Sequence, residues 1–288
     1  QTPTEKQKRS MKQSLTPSNL VLKNLPMLMS VFLSMKVKFE RRKFMFGYQG
    51  KILRVDLSSK TCKVEALDLD MAKKYIGGRG LGTKIFYDEV PASVDALSVE
   101  NKFIVATGPL TGTPTPTGGR YMVVTKSPLT GTIASSNSGG YWGAELKFAG
   151  YDVIIVEGKS EKPVYIMIED EKVEIRDAAH VWGKVTSEAT EILEKEVPAK
   201  SRVMTIGPAG EKLSYMAAVM NDVSRAAGRS GVGAVMGSKN LKAITVRGTQ
   251  KVAIANDEML KNVVKDCTAK IRENGVTGQG LPTYGTAV

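Results

Sequence analysis

The sequence predicts an α+β fold, a β-rich body with helices interspersed, flanked by a basic extension and by the start of a helical domain. Three observations carry that prediction. Between Met45 and Arg247, short alternating or wholly apolar runs follow one another, separated by turn-forming residues. Helical runs with start and stop residues interrupt the series at only a few places. After Thr249 the pattern changes to that of one long helix. The organisation read from these features is an extension over residues 1–44, a body over 45–252 and a helical segment over 253–288.

The extension begins with Gln1 and stays polar and basic to Ser18. It then carries a modest apolar run, Leu20 to Met35, interrupted by Lys23, Asn24 and Pro26. No small-residue cleavage site follows, so it reads as upstream or disordered sequence, and not as a signal peptide or anchor. Met45 is the natural start of the folded body. Lys51–Leu57 alternates and Thr61–Ala66 answers it across a short turn, making a hairpin. Asp70–Tyr75 reads as a short helix stopped by Gly77 and Gly78, with a second near Gly82–Asp88. Strands follow at 102–107, 120–126, 152–157, 164–169, 172–176, 202–206 and 243–247. Helices are expected at Tyr141–Phe148, closed by Gly150, and at Ser187–Lys195, stopped near Pro198. Asn256 or Asp257 caps the last helix, whose apolar positions are Met259, Leu260, Val263, Val264 and Ile271. A helix and a loop do not make a domain, so the chain reads as a fragment whose second domain is truncated.

Two stretches echo one another: "GPLTG…TGGRYMVVTKSPLTGTIA" and "GPAGE…AAGRSGVGAVMGSKNLKAITV" each give Gly-Pro, then Gly-Arg, then an apolar run. Such an echo suits a domain of two related halves facing one site.

Composition narrows the function classes. The net charge is +12, but ten Lys and Arg against Glu5 and Glu40 place +8 of it in residues 1–44. The remaining body is near neutrality and lacks the broad positive field of a nucleic-acid binder. No window offers the roughly 20 uninterrupted apolar residues of a membrane-spanning helix. Cys62 and Cys267 are the only cysteines, too far apart to mark a clustered metal site, which favours a cytoplasmic protein without a disulfide framework.

Three glycine-rich segments stand out: Thr107–Arg120, Ser135–Gly143 and Asn221–Asn240. Glycine lets backbone amides approach an anion closely, because no Cβ intervenes. Each segment also sets an arginine or asparagine beside its glycines. Arg120 follows Gly118 and Gly119, Asn137 precedes Gly139 and Gly140, and Arg225 and Arg229 bracket Ala226–Gly228. Arginine offers fixed donors suited to phosphate or a flat heterocycle. Asn137–Tyr141 leads into a helix start, which is itself expected to be an anion site. The alternative is that these glycines only make tight turns in a β-rich domain.

Standard nucleotide fingerprints fail. Gly237 is followed by Ser238 and only then Lys239, so a P-loop is excluded, and Gly231, Gly233 and Gly237 have the wrong spacing for a dinucleotide fold. His180 is the only histidine, which leaves no histidine-based zinc site. Asp152, Glu157 and Asp222 show no spacing that marks an acid and a base. No catalytic residue is assigned.

The runs at 108–131, 137–152, 206–211, 220–244 and 280–288 resemble the aldehyde ferredoxin oxidoreductases, and the resemblance extends over essentially all of 45–288. It implies an N-terminal domain of two β-sheets related by an approximate two-fold, forming a base beneath a tungsten (or molybdenum) bis-pterin whose phosphates are joined by magnesium. By the same resemblance the pterin-contacting arginine falls on Arg120, and the magnesium-linked asparagine on Asn137, with Gly139 beside the pterin. Arg225 and Ala226 contact the cofactor, Ala226 through its carbonyl, so the implied metal ligands are Asn137 and Ala226. The implied reaction is oxidation of an aldehyde to a carboxylic acid, with electrons passing through a 4Fe-4S cluster to ferredoxin. A homodimer is one assembly open to it.

The chain departs from the family pattern in lacking the Cys-x-x-Cys-x-x-x-Cys segment and the later cysteine that hold the cluster, since neither Cys62 nor Cys267 matches them. The cluster therefore belongs to the full-length protein only, and the chain by itself is expected to be inactive. Two other readings stay open: a related tungsten enzyme with another substrate, such as an aldehyde phosphate or an aromatic acyl thioester, and a free-standing module for a phosphorylated ligand.

Overall fold

The computed structural model describes residues 45–288; the basic extension 1–44 lies outside the described residues. The first half of the body contributes β1 (Lys51–Asp56), β2 (Thr61–Ala66), α1 (Leu69–Tyr75), α2 (Gly78–Glu89), β3 (Phe103–Thr107), β4 (Tyr121–Lys126), β5 (Ile133–Ser138), α3 (Trp142–Phe148) and β6 (Val153–Glu157). The second contributes β7 (Val164–Glu169), β8 (Lys172–Asp177), α4 (Thr186–Glu196), β9 (Arg202–Thr205), α5 (Pro208–Glu211), β10 (Val219–Asn221), β11 (Arg225–Ala227), α6 (Val232–Ser238) and β12 (Leu241–Arg247). The remainder is helical, chiefly α7 (Asp257–Glu273) and α8 (Leu281–Tyr284).

The strands form two six-stranded mixed sheets, ordered β2-β1-β6-β3-β4-β5 and β8-β7-β12-β9-β10-β11. The two sheets have one topology. Each opens on an antiparallel hairpin, and its first strand lies parallel to its last, β1 to β6 and β7 to β12. All other neighbours are antiparallel. Thus β1–β6 correspond one for one with β7–β12, which is the repeat of two related halves. The Gly-Pro half of the sequence echo falls at equivalent places, after β3 and after β9. The Gly-Arg half does not, because Arg120 precedes β4 whereas Arg229 follows β11.

Why these runs make strands follows from the layers. Leu53, Val55, Phe103, Val105, Ile154 and Val156 of one sheet share a buried cluster with Ile166, Ile168, Met204, Ile244 and Val246 of the other. The alternate residues Ile52, Ile104, Val153 and Ile155 lie under Leu81, Ile85 and Phe86 of α2. On the far side Tyr165, Met167, Val203 and Ala243 lie under Ala189 and Leu193 of α4. The result is helix, sheet, sheet, helix. Central strands are buried on both faces and so read as continuous apolar runs, as in Phe103–Thr107.

Short helices lock the halves together. Trp142 Nε1 of α3 donates to the Ile244 carbonyl of β12 at 3.0 Å, and Glu145 accepts from Arg247 and from the Gly248 amide. Reciprocally, α6 packs on β3 and β4. All seven residues of α6 are buried, so it shows no amphipathic period, and its sequence reads as a loop. Its close packing depends on Gly237, where a Cβ would lie 2.0 Å from the Gly210 carbonyl oxygen. By contrast, α7 buries none of its residues, although Asn256 Oδ1 caps it through the Met259 amide at 2.8 Å.

Lys239, which follows α6, is fully buried, and its Nζ donates to the carbonyls of Asn101 and Gly158. A lysine so placed is a structural strut and cannot reach a phosphate. Desolvation by burial brings its ammonium down to about 8 from an ordinary 10.5. Between those values the unfolded chain binds the extra proton, so stability should climb as pH rises from about 8 toward 10. Lys239→Met should remove that climb in denaturant melts; a parent curve with no rise over that window contradicts the assignment.

Candidate functional site

Where the turn after β5 meets the β10–β11 hairpin there is a cleft of about 600 Å³. One wall is built by the first half, from the turn Thr117–Arg120 that enters β4 and the turn Gly139–Tyr141 that leaves β5. The other is Ser224–Ala226 of the second half. Thus all three glycine-rich segments meet at one place, although Ser224 of the third lies 83 residues beyond Tyr141 of the second. Of the expected site residues, Arg120, Gly139, Arg225 and Ala226 line this cleft.

Asn137 is placed differently. Residues 133–138 form a strand, and not the loop that their serines and asparagine indicate, so alternate side chains are sent to opposite faces. Ser136 and Ser138 are buried, whereas Asn137 lies beside Met122. It lines a second cleft of about 350 Å³ with Gly77, Gly78, Gly108 and Thr111. Arg120 lines both clefts, and its Nη1 donates to Asn137 Oδ1 at 2.7 Å. The structure therefore joins Asn137 to Arg120 directly, while Asn137 and Ala226 line different clefts.

The electrostatics favour an anion. Among the described residues no aspartate or glutamate lines the larger cleft. Among the described residues the Arg120 guanidinium donates only to the neutral amide of Asn137, and neither Arg120 nor Arg225 is in an ion pair. Two arginines outside any ion pair among the described residues therefore line one space from two halves of the fold. Arg229, the other arginine of that segment, is anchored through its amide, which donates to Ser136 Oγ at 3.0 Å. Among the described residues no group of three or more His, Cys, Asp or Glu side chains gathers to hold a metal ion. No helix among them is long and apolar enough to cross a membrane.

Two residues that sequence reasoning passed over hold the walls. Asn221, buried at the end of β10, accepts at Oδ1 from Tyr121 OH and Ser138 Oγ, each at 2.7 Å, and donates to the Gly139 carbonyl at 2.9 Å. Burial pushes the Tyr121 phenol up, so it remains a donor. Asp222 Oδ2 accepts from the Tyr141 amide at 2.7 Å and the Trp142 amide at 3.3 Å. This corrects the expectation of an anion site at the start of α3: the protein's own carboxylate occupies those amides. Nothing in the sequence marks the pair, since their partners lie some 80 residues away and a Val follows the Asp in the turn.

Residues 52–248 match the family model described as "Aldehyde ferredoxin oxidoreductase, N-terminal domain", which spans the body from β1 to just past β12. The chain is 59% identical over 245 residues to a tungsten-containing aldehyde ferredoxin oxidoreductase of Pyrococcus furiosus, and equally so to that of Pyrococcus horikoshii. Each match covers 85% of this chain and 40% of the relative, so the chain spans about two fifths of the length of the relatives it matches. An aliphatic sulfonate oxidoreductase, WOR-like subunit, of Pyrococcus furiosus is 42% identical over 71% of this chain and 35% of its own length. Among solved structures, the active-site complex BamBC of benzoyl coenzyme A reductase, in complex with 1,5-dienoyl-CoA, superposes with a TM-score of 0.78 at 41% identity, covering 80% of this chain and 35% of that one. The matched residues are those that build both sheets and all three turns of the cleft, and by these matches the chain belongs to the aldehyde ferredoxin oxidoreductase family, an oxidoreductase family, as its N-terminal domain.

Proposed function

We propose that residues 45–252 are the cofactor-cradling domain of a cytoplasmic tungsten-pterin oxidoreductase that converts aldehydes to carboxylic acids, with ferredoxin as electron acceptor, and that 253–288 begin its next domain. The observation that carries this reading is the convergence of Arg120 and Arg225 on one cleft whose lining, among the described residues, includes no aspartate or glutamate. The donor set suits the phosphates of a large anionic cofactor: guanidinium groups, glycine amides and a floor open enough for close approach. A Cβ at Gly139 would already touch the Arg120 guanidinium at 3.5 Å, so glycine leaves that face of the arginine open.

In this reading Arg120 and Arg225 orient the cofactor and Gly139 lets it sit against backbone. Asn137 and, through its carbonyl, Ala226 would hold the magnesium, from two clefts that Arg120 joins by lining both. When bound, the tungsten-pterin group would supply the two-electron redox chemistry by which aldehyde and water become carboxylic acid, two protons and two electrons, the electrons going on to ferredoxin. The protein's part is binding, orientation and a positive field, and no proton transfer is assigned to a side chain of this chain. Identity of 59% to the aldehyde enzymes against 42% to the sulfonate oxidoreductase favours an aldehyde substrate.

Metal analysis and viologen-coupled assays test the proposal. Full-length protein should contain tungsten and pterin and reduce viologen with aldehydes, whereas these 288 residues alone should not. A full-length product without metal or pterin, or turnover by the 288-residue chain, overturns it.

A further inference from the structure

We infer that Asp222 is the positioning residue of the anion cleft, clamping the Gly139–Tyr141 turn of the first half onto the β10–β11 turn of the second. Its Oδ2 takes three donors from two directions: the amides of Tyr141 and Trp142, and Asn221 Nδ2 at 2.8 Å. Its Oδ1 is buried, has no hydrogen bond among the described residues and faces Arg202 Nη1 at 3.6 Å. That arginine in turn stacks over the Tyr141 ring, 4.8 Å from its centroid. One carboxylate thus sets the backbone of one wall, the ring at its rim and the hairpin that carries Arg225.

The backbone of the hairpin supports this role. Asp222 and Val223 both occupy the left-handed region, at φ +46 and +60. A β-branched residue there is strained, and such strain persists only where surrounding contacts over-determine it. Val223 itself is 60% exposed, so its own packing does not account for the conformation. The hydrogen bonds of Asn221 and Asp222 do. Pairing with Arg202 also keeps the clamp's negative charge from neutralising Arg225, which lies three residues along the same turn.

The inference rests on the cleft being an anion site, and the test separates the two. Inorganic pyrophosphate is titrated calorimetrically into the parent protein, Asp222→Ala and Asp222→Asn. Charge alone predicts tighter binding in both variants, because each removes a carboxylate beside an anion. Positioning predicts the opposite for Asp222→Ala, a loss of roughly tenfold or more, since the Tyr141 amide and Arg202 lose their partner. Asp222→Asn keeps an acceptor for the Tyr141 amide and should bind at least as tightly as the parent. Amide hydrogen exchange in the parent gives a readout that needs no variant to fold: Tyr141 should be protected, and exchange at the rate of an open loop overturns the clamp. Equal affinity in the parent and Asp222→Ala also overturns it. A parent that ignores pyrophosphate instead sinks the anion-cleft reading beneath it.

Discussion

Gly140→Ala is expected to cost about 2–5 kcal/mol of stability and to disable the cleft at the same time. Gly140 has φ +88, and a Cβ there would lie 2.2 Å from Asp222 Oδ2, 2.9 Å from Asn221 Nδ2 and 3.1 Å from Arg225 Cγ. The positive φ costs a Cβ-bearing residue roughly 1–2 kcal/mol. Forcing an added methyl into packed neighbours costs roughly 1–3 kcal/mol more. The carboxylate cannot simply step aside, because it is held by the Tyr141 and Trp142 amides. Gly131→Ala is the control, for Gly131 has φ +68 but nothing within 4 Å of its added Cβ. Urea unfolding should rank Gly140→Ala well below Gly131→Ala, and equal midpoints would show that the contact with Asp222 is not as described.

The second large effect is on binding and leaves folding untouched. Arg120→Gln and Arg225→Gln should each weaken pyrophosphate by roughly tenfold or more, the scale of one charge-assisted hydrogen bond. Stability should stay within about 0.5 kcal/mol, because among the described residues neither arginine is in an ion pair and each lies at the cleft surface. Arg120 should show the larger loss, since it also holds Asn137 Oδ1 at 2.7 Å and its removal frees the amide to turn. Affinity of the parent should fall with added salt, and less steeply in either variant. Lysine should not substitute well at position 120, since it lacks the planar fork that can grip an amide and an anion together. Unchanged calorimetric affinity in both glutamine variants would contradict the assignment.

Much of the fold was legible because the apolar runs are long and bounded. Phe103–Thr107, Val153–Glu157 and Val164–Glu169 are buried on both faces, and their sequences say so. What stayed hidden was held by tertiary context. The strand Ile133–Ser138 is made largely of serine and asparagine, and its place beside β4 and against the β10–β11 hairpin makes it a strand where local propensity does not. The helix Val232–Ser238 is buried all round and offers no polar face to set its period.

The same division holds at the site. The turns that carry Arg120, Gly139 and Arg225 were legible because glycine beside arginine has a local meaning, whereas the choice of Ala226 came from the family resemblance; the fold brings all four to one cleft. Asn137 stood out beside its glycines too, but strand alternation sends it to the neighbouring cleft, with Arg120 as the link. Asn221 and Asp222 were missed because their role exists only across the junction of the halves. A carboxylate whose partners lie some 80 residues away leaves no spacing to read.

A crystal structure of the tungsten-loaded full-length protein tests the central claim most directly. The account predicts cofactor phosphates in contact with the guanidinium groups of both Arg120 and Arg225, within the cleft walled by Gly139–Tyr141 and Ser224–Ala226. Phosphates bound elsewhere, with both arginines turned to solvent or to protein carboxylates, would contradict it.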